Sequence, residues 1–213
     1  MIARIFLAGE FPPLWAVDAP REGDYLIAAD AGYQHLMRLG LTPHLLVGDF
    51  DSLSSAWLEQ ARVAGVTVNC WPEAKDFSDG ELAVQAALAA GCREAHFYGA
   101  LGGNRFDHLL GNIGLLVLAK KQGLVVYFYH GNLWGTVITK ESITIQGKIN
   151  DIVSLLPLTS KVQQVTAGGL RYPLQQETLY AASSRSLANR LAASPATIAV
   201  ERGLLLVMHY REL

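Results

Sequence analysis

Six short apolar runs mark the first 130 residues, at positions 2–7, 25–29, 45–47, 66–70, 95–98 and 124–129. Their lengths suit strands, and several are apolar throughout, as a parallel sheet covered on both faces requires. The stretches between them carry helical spacing. Leu110, Ile113, Gly114, Val117 and Leu118 fall at i, i+3, i+4, i+7 and i+8, which predicts a helix that lies on the sheet by this stripe and ends at Gly123. Trp57, Ala61 and Ala64 predict a shorter helix, and Leu82, Ala86 and Ala89 another, with Gly91 as its C-terminal cap. Strand and helix alternate as in βαβ units. Residues 1–131 are therefore predicted to form an α/β domain on a doubly wound, mainly parallel sheet.

Past position 131 the rhythm changes. Residues 142–146 alternate strictly between polar and apolar, and 151–156, 161–166, 196–200 and 204–210 are further strand candidates. Glu201-Arg202-Gly203 joins two of these runs and predicts a short hairpin. No helical stripe interrupts them, so residues 132–213 are predicted to form an all-β sandwich domain, joined to the first without a long linker.

Composition removes several function classes. Apolar residues make up 51% of the 213 positions and charged residues 17%, a balance that argues for folded domains with sizeable cores. No apolar run reaches the ~18–20 residues of a membrane span, and the N-terminal run reads as a first strand rather than a signal peptide, so the expected location is the cytoplasm. Cys70 and Cys92 lack the spacing of a disulfide framework or zinc site. The formal net charge is −2, and no basic block exceeds Lys120-Lys121, so a nucleic-acid partner is not expected. Small ligands remain.

Carboxylates gather where the predicted strands end. Asp30 follows the second run, Asp49 and Asp51 the third, and Asp76 and Asp79 the fourth, while the fifth leads into Gly99-Ala100-Leu101-Gly102-Gly103. In an open parallel sheet these ends share one edge, where ligands bind, so five aspartates are predicted to converge on one cleft. Like charges at close range oppose ionisation unless a cation joins them. Hard oxygen donors suit Mg²⁺, which is commonly held by one or two carboxylates together with substrate phosphates, and this points to a nucleotide. If the segment stays extended, the i, i+2 spacing of Asp49 and Asp51 puts both side chains on one face. Gly99, Gly102 and Gly103 would let backbone amides approach phosphate oxygens, with Arg105 as a two-pronged phosphate clamp and Lys75 as a second cation. His108, one turn into the following helix, reads as a packed residue and is left out of the set.

These residues resemble the motif series of the thiamine pyrophosphokinase family. The resemblance is carried by Asp30-Ala31-Gly32, Gly48-Asp49-Phe50-Asp51-Ser52, Lys75-Asp76-Phe77-Ser78-Asp79 and the glycine turn leading to Arg105-Phe106-Asp107-His108, in that order. Later segments, 168–174 and 184–189, are similar to the family's Gly-Leu-Lys-Tyr/Trp and Ser-Asn segments. Ala188 stands where the family has a serine, and Arg190 where a glutamate is common.

The resemblance implies transfer of diphosphate from ATP to the hydroxyl of thiamine, giving thiamine diphosphate and AMP. It implies that Asp49, Asp51, Asp79 and Asp107 serve Mg²⁺ and the ATP phosphates, and that Asp30 and Arg105 belong to the same site. It further implies that Ser184, Ser186 and Asn189 line the thiamine pocket, and that a homodimer shares its active sites between subunits. On this reading residues 1–131 are the ATP and Mg²⁺ domain, and residues 132–213 bind thiamine and dimerise. Asp79, opening a helix beside the cleft, is the candidate to accept the hydroxyl proton. Two rivals remain open at this level. One is a diphosphokinase for another hydroxymethyl heterocycle such as a pterin; the other is a nucleotide-binding sensor without turnover.

Overall fold

The computed structural model describes residues 1–11 and 19–212. The chain divides into two compact units, Met1–Gly131 and Asn132–Leu213. Among the described residues no helix is long and apolar enough to cross a membrane.

The first unit runs β1 (Ile2–Phe6), β2 (Tyr25–Ala29), α1 (Gly32–Arg38), β3 (Leu45–Gly48), α2 (Ser55–Val63), β4 (Thr67–Cys70), α3 (Asp79–Ala89), β5 (Glu94–Tyr98), α4 (Phe106–Lys121) and β6 (Val125–His130). Its strands lie in the order β4-β3-β2-β1-β5-β6, and the pairings between these neighbours are all parallel. The register sets Ile5 beside Ile27 on one side and Phe97 on the other, all fully buried. Phe6, Ala28, Leu46, Tyr33, Leu36 and Tyr98 belong to one core cluster on this sheet. Each large apolar side chain so enclosed contributes roughly 1.5–3 kcal/mol. The chain steps outward from β1 to β4, then returns to the other side of β1 with β5. That reversal leaves a crevice beyond the carboxyl ends of β1 and β5.

The helices depart from the predicted faces. α4 buries Leu115, Leu116 and Ala119, while Leu110 is 55% exposed. α3 buries Gly80, Leu82, Ala83, Val84 and Ala87, with Ala89 in solvent. Both helices are apolar around most of their circumference, so spacing alone leaves the buried side open. Gly91 does cap α3: its N–H bonds Leu88 O at 2.9 Å and the Cys92 N–H bonds Ala87 O at 3.0 Å, the paired bonds of a Schellman ending. α1 was not anticipated, and β4 is largely exposed rather than covered on both faces, because it lies at the sheet edge.

The second unit is a sandwich. One sheet has the order β12 (Asn189–Arg190), β9 (Ile152–Pro157), β14 (Leu205–Tyr210), β7 (Leu133–Ile138); the other has β11 (Leu174–Tyr180), β10 (Lys161–Gly168), β13 (Ala196–Val200), β8 (Glu141–Ile145). Val153, Leu155, Leu205 and Val207 from the first sheet share a core with Val162, Val165, Ala167, Ile198 and Val200 from the second. Residues 201–203 do not form the predicted hairpin. β13 pairs with β10 and β8, whereas β14 pairs with β7 and β9, so this turn carries the chain from one sheet to the other.

Candidate active site

Glycines enter the crevice because two backbones run closely against each other there. The segment after β1 runs against the loop after β5 through the bonds Leu7 N to Tyr98 O at 2.9 Å, Gly9 N to Gly99 O at 2.9 Å and Glu10 N to Leu101 O at 3.1 Å. Gly99 has φ of +66°, and a Cβ there would collide with the Leu7 carbonyl oxygen. Asn112 on α4 donates to Ala100 O at 2.8 Å and anchors the same loop. The resulting cleft of about 460 Å³ is lined by Asp30, Asp49, Asp51, Asp79, Gly102, Gly103 and Arg105, together with Ser52, Ser78, Asn104 and His108.

Four of the five convergent aspartates therefore meet. Asp76 is exposed and does not line the cleft. Asp49 and Asp51 arrive by a turn rather than by strand alternation. β3 ends at Gly48, Phe50 takes φ of +64° with its ring 8% exposed, and the Asp51 N–H bonds Asp49 Oδ1 at 3.3 Å. Gly48 makes the convergence possible: a Cβ there would lie 3.2 Å from Asp30 Cβ and 3.3 Å from Asp79 Cγ. Asp79 opens α3, whose cap is the reciprocal pair Ser78 Oγ accepting from Glu81 N and Glu81 Oε2 accepting from Ser78 N.

The carboxylates differ electrostatically. Asp30 is 6% exposed, and burial together with the charges of Asp79 and Asp51 pushes its pKa up to about 6, against the opposing Ala31 N–H and Ser52 hydroxyl. Its Oδ1 has no hydrogen-bond donor. Burial also raises Asp79, with Asp49 and Asp51 adding to the effect against Lys75. Lys75 instead holds Asp49 below the usual carboxylate range, by a bond of 2.5 Å to Asp49 Oδ2. The same ammonium is 3.0 Å from Asp79 Oδ1, so one cation is shared between the two carboxylates.

The structure redistributes several expected roles. Lys75 does not line the cleft but sits against two of its carboxylates. Asp107 is absent from the lining; Arg105 grips it through Nε at 2.9 Å and a terminal nitrogen at 2.6 Å, which holds its carboxyl well below the usual range. The expected set of four carboxylates is thus not assembled around one point. Among the described residues no three His, Cys, Asp or Glu side chains group closely enough to hold an ion. Asp107 stays outside the group because Arg105 grips it. The donor chemistry still fits a hard divalent cation, since Asp49, Asp51 and Asp79 line one cleft with Asp30, whose Oδ1 is buried without a donor among the described residues.

His108 is exposed and lines the cleft, contrary to its reading as a packed residue. Gly9, Ser52, Ser78, Asn104 and Asn112 were not anticipated. Ser52 and Ser78 lie within the quoted motifs, and Asn112 left a trace as a polar residue inside an apolar helical run. In the second unit Ser184 is exposed, but Ser186 donates to Leu155 O at 2.6 Å. Asn189 brackets Tyr172, accepting from its N–H at 3.1 Å and donating to its carbonyl at 2.7 Å. Both buried side chains spend these polar groups on the chain itself.

The profile of the thiamin pyrophosphokinase catalytic domain matches residues 19–128, and that of the thiamin pyrophosphokinase vitamin B1 binding domain matches residues 140–205. The chain belongs to the thiamin pyrophosphokinase family. It is 26% identical over 183 residues to the thiamine pyrophosphokinase of Bacillus subtilis, covering 85% of each chain. The crystal structure of thiamine pyrophosphokinase from Bacillus subtilis superposes with a TM-score of 0.87 at 25% identity, covering 100% of both chains. That of a thiamin pyrophosphokinase family protein from Enterococcus faecalis gives 0.82 at 26% identity, covering 100% of this chain and 99% of the other.

Proposed function

We propose that this chain transfers the diphosphate of ATP to the hydroxyl of thiamine, with residues 1–131 holding ATP and residues 132–213 holding thiamine and joining two subunits into a homodimer. Family membership across both domains carries the reaction class. The convergence of Asp30, Asp49, Asp51 and Asp79 on a glycine-lined cleft supports the placement of ATP.

Asp49, Asp51 and Asp79 would hold a divalent cation, for which we propose Mg²⁺. When bound it neutralises phosphate oxygens and favours their attack by a hydroxyl. The amides of Gly102 and Gly103 and the N-terminus of α4 are suited to the phosphates. Arg105 would exchange Asp107 for a phosphate, since a guanidinium makes the same two-pronged grip on either anion. In the step itself the thiamine oxygen bonds to the β-phosphorus as the bond from that phosphorus to the α–β bridging oxygen breaks. AMP leaves with the bridging oxygen, and the hydroxyl proton passes to a cleft carboxylate. Little covalent work falls to the protein, so positioning and charge stabilisation carry the rate. Asn189 and Ser186 would act by shaping the segment around Tyr172 and residues 154–156, and we place the enzyme in the cytoplasm.

The test is AMP release with ATP and Mg²⁺ across thiamine, thiamine monophosphate and a hydroxymethylpterin. Release with thiamine alone is expected. Release with the pterin but not thiamine would overturn the acceptor, and no multiple-turnover release with any acceptor would overturn the enzyme.

A further inference from the structure

The ammonium of Lys75 stands where two carboxylates of different strand ends face each other. Its Nζ is 2.5 Å from Asp49 Oδ2 and 3.0 Å from Asp79 Oδ1, and its side chain is only 8% exposed. We propose that Lys75 is the resident counter-cation of the metal-free site: it holds Asp49 and Asp79 together until a divalent cation takes its place. This rests on the diphosphokinase reading for the identity of that cation.

Three observations support it. First, Asp49 follows β3 and Asp79 opens α3, so nothing local joins them, and without a cation their charges would drive them apart. Second, the ammonium does not complete the site. Beside it, among the described residues, Asp30 Oδ1 remains buried without a hydrogen-bond donor, which leaves capacity for an ion of higher charge and more directions of coordination. Third, Lys75 lies in the short segment between β4 and α3 on a flexible four-carbon stem, which lets a point charge swing away without moving the backbone.

Competition between ammonium and metal has a consequence for order. A divalent cation arriving alone must displace Lys75 from Asp49 and Asp79 without bringing any new anion to receive it. Arriving with ATP, the same cation brings phosphates that can receive the displaced ammonium. Metal and nucleotide therefore bind with positive coupling through Lys75.

The experiment uses Mn²⁺ as the probe, followed by electron paramagnetic resonance on the full chain without nucleotide. Lys75→Gln should bind Mn²⁺ at least ~10-fold more tightly than the wild type, because its competitor is gone. Its metal-free Tm should fall and its gain on adding Mn²⁺ should exceed that of the wild type. Added ATP should tighten Mn²⁺ binding less in Lys75→Gln than in the wild type. Mn²⁺ affinity unchanged or weaker in a folded Lys75→Gln overturns the proposal. Should that variant not fold, reductive methylation of the wild type read by peptide mass spectrometry decides the matter. Mg²⁺ alone should raise the labelling of Lys75 relative to the other lysines, and an unchanged rate overturns it. AMP release by the wild type separates the two readings. Turnover with unchanged Mn²⁺ affinity sinks the counter-cation alone, whereas tighter Mn²⁺ binding without turnover sinks the enzyme assignment alone.

Discussion

Asp30 combines left-handed backbone, with φ of +46°, and a carboxyl buried without a donor on Oδ1. A carboxyl raised from 3.8 to about 6 makes the fold less stable as pH rises through that window, because the unfolded chain ionises first. Above about pH 6 the full cost, roughly 2–3 kcal/mol, is in place. Asp30→Asn should therefore stabilise the metal-free protein by up to about that amount at pH 7.5 and by almost nothing at pH 4. Urea denaturation in EDTA at the two pH values checks this, and an effect of the same size at both would mean that folding does not raise the Asp30 pKa. Arg105 makes the opposite kind of prediction. It is exposed and gripped only by Asp107, so Arg105→Lys should leave Tm unchanged. Turnover should drop at least ~10-fold, because one ammonium cannot reproduce the two-pronged grip on phosphate. Unchanged steady-state rates would place Arg105 outside the reaction. At this scale the convergence of side chains was legible where it depended on residue type and strand position, as for Asp30, Asp49, Asp51 and Asp79. It was not legible where a partner across the fold decides the role. Nothing in the local sequence says that Asn189 is occupied by Tyr172, or that Lys75 pairs with Asp49 and Asp79.

Half-buried Trp134 on β7, buried His209 on β14 and buried Asp151 before β9 form a hydrogen-bonded chain that ties three segments of the second unit to Glu212. Trp134 Nε1 donates to His209 Nδ1 at 2.7 Å, so Nε2 carries the imidazole proton and donates to Asp151 Oδ2 at 2.8 Å. Asp151 also accepts from Lys148 N at 2.9 Å and, through Oδ1, from Glu212 N at 2.8 Å. A second proton on His209 would set two N–H groups against each other. Burial accordingly lowers the His209 pKa, with Asp151 opposing. The unfolded chain takes up that proton below about pH 6.5 and the folded chain does not, so stability is lost as pH falls. Trp134→Phe should let Nδ1 accept a proton, raise the His209 pKa in an NMR titration and flatten the fall of Tm between pH 7 and 5. A His209 titration unmoved by the substitution would show that Trp134 does not set the tautomer. Element existence was easier to anticipate than element partnership. Runs such as 196–200 and 204–210 are strands, but their adjacency suggested a hairpin, whereas β13 and β14 belong to different sheets. Strand length is a local property; sheet membership depends on which core each inner face completes. β7 and β11 lack the alternation that marks β8, so they escaped the pattern altogether.

At the scale of the whole molecule the change of rhythm near position 131 was legible because the period of the apolar pattern itself changes there. The proposed homodimer with shared sites has no such signature in a single chain, and its test is complementation. If the second domain of one subunit supplies the acceptor pocket and the first domain of its partner supplies the carboxylates, a chain damaged in either domain fails alone. Asp51→Asn should be inactive with its fold intact, since Asp51 is exposed and lines the cleft. Asn189→Ala should be inactive because it releases both bonds to Tyr172, and its Tm must be measured to show that the sandwich survives. After subunit exchange, random pairing makes about half the dimers heterodimers, each with one undamaged site and one carrying both lesions. Activity should then recover to roughly a quarter of wild-type site activity. The readout is AMP release per total protein, with exchange confirmed by mass spectrometry of differently tagged chains. If exchange is complete and both parents are inactive, a mixture that stays inactive means that each site is built within one chain, and the shared-site dimer is wrong.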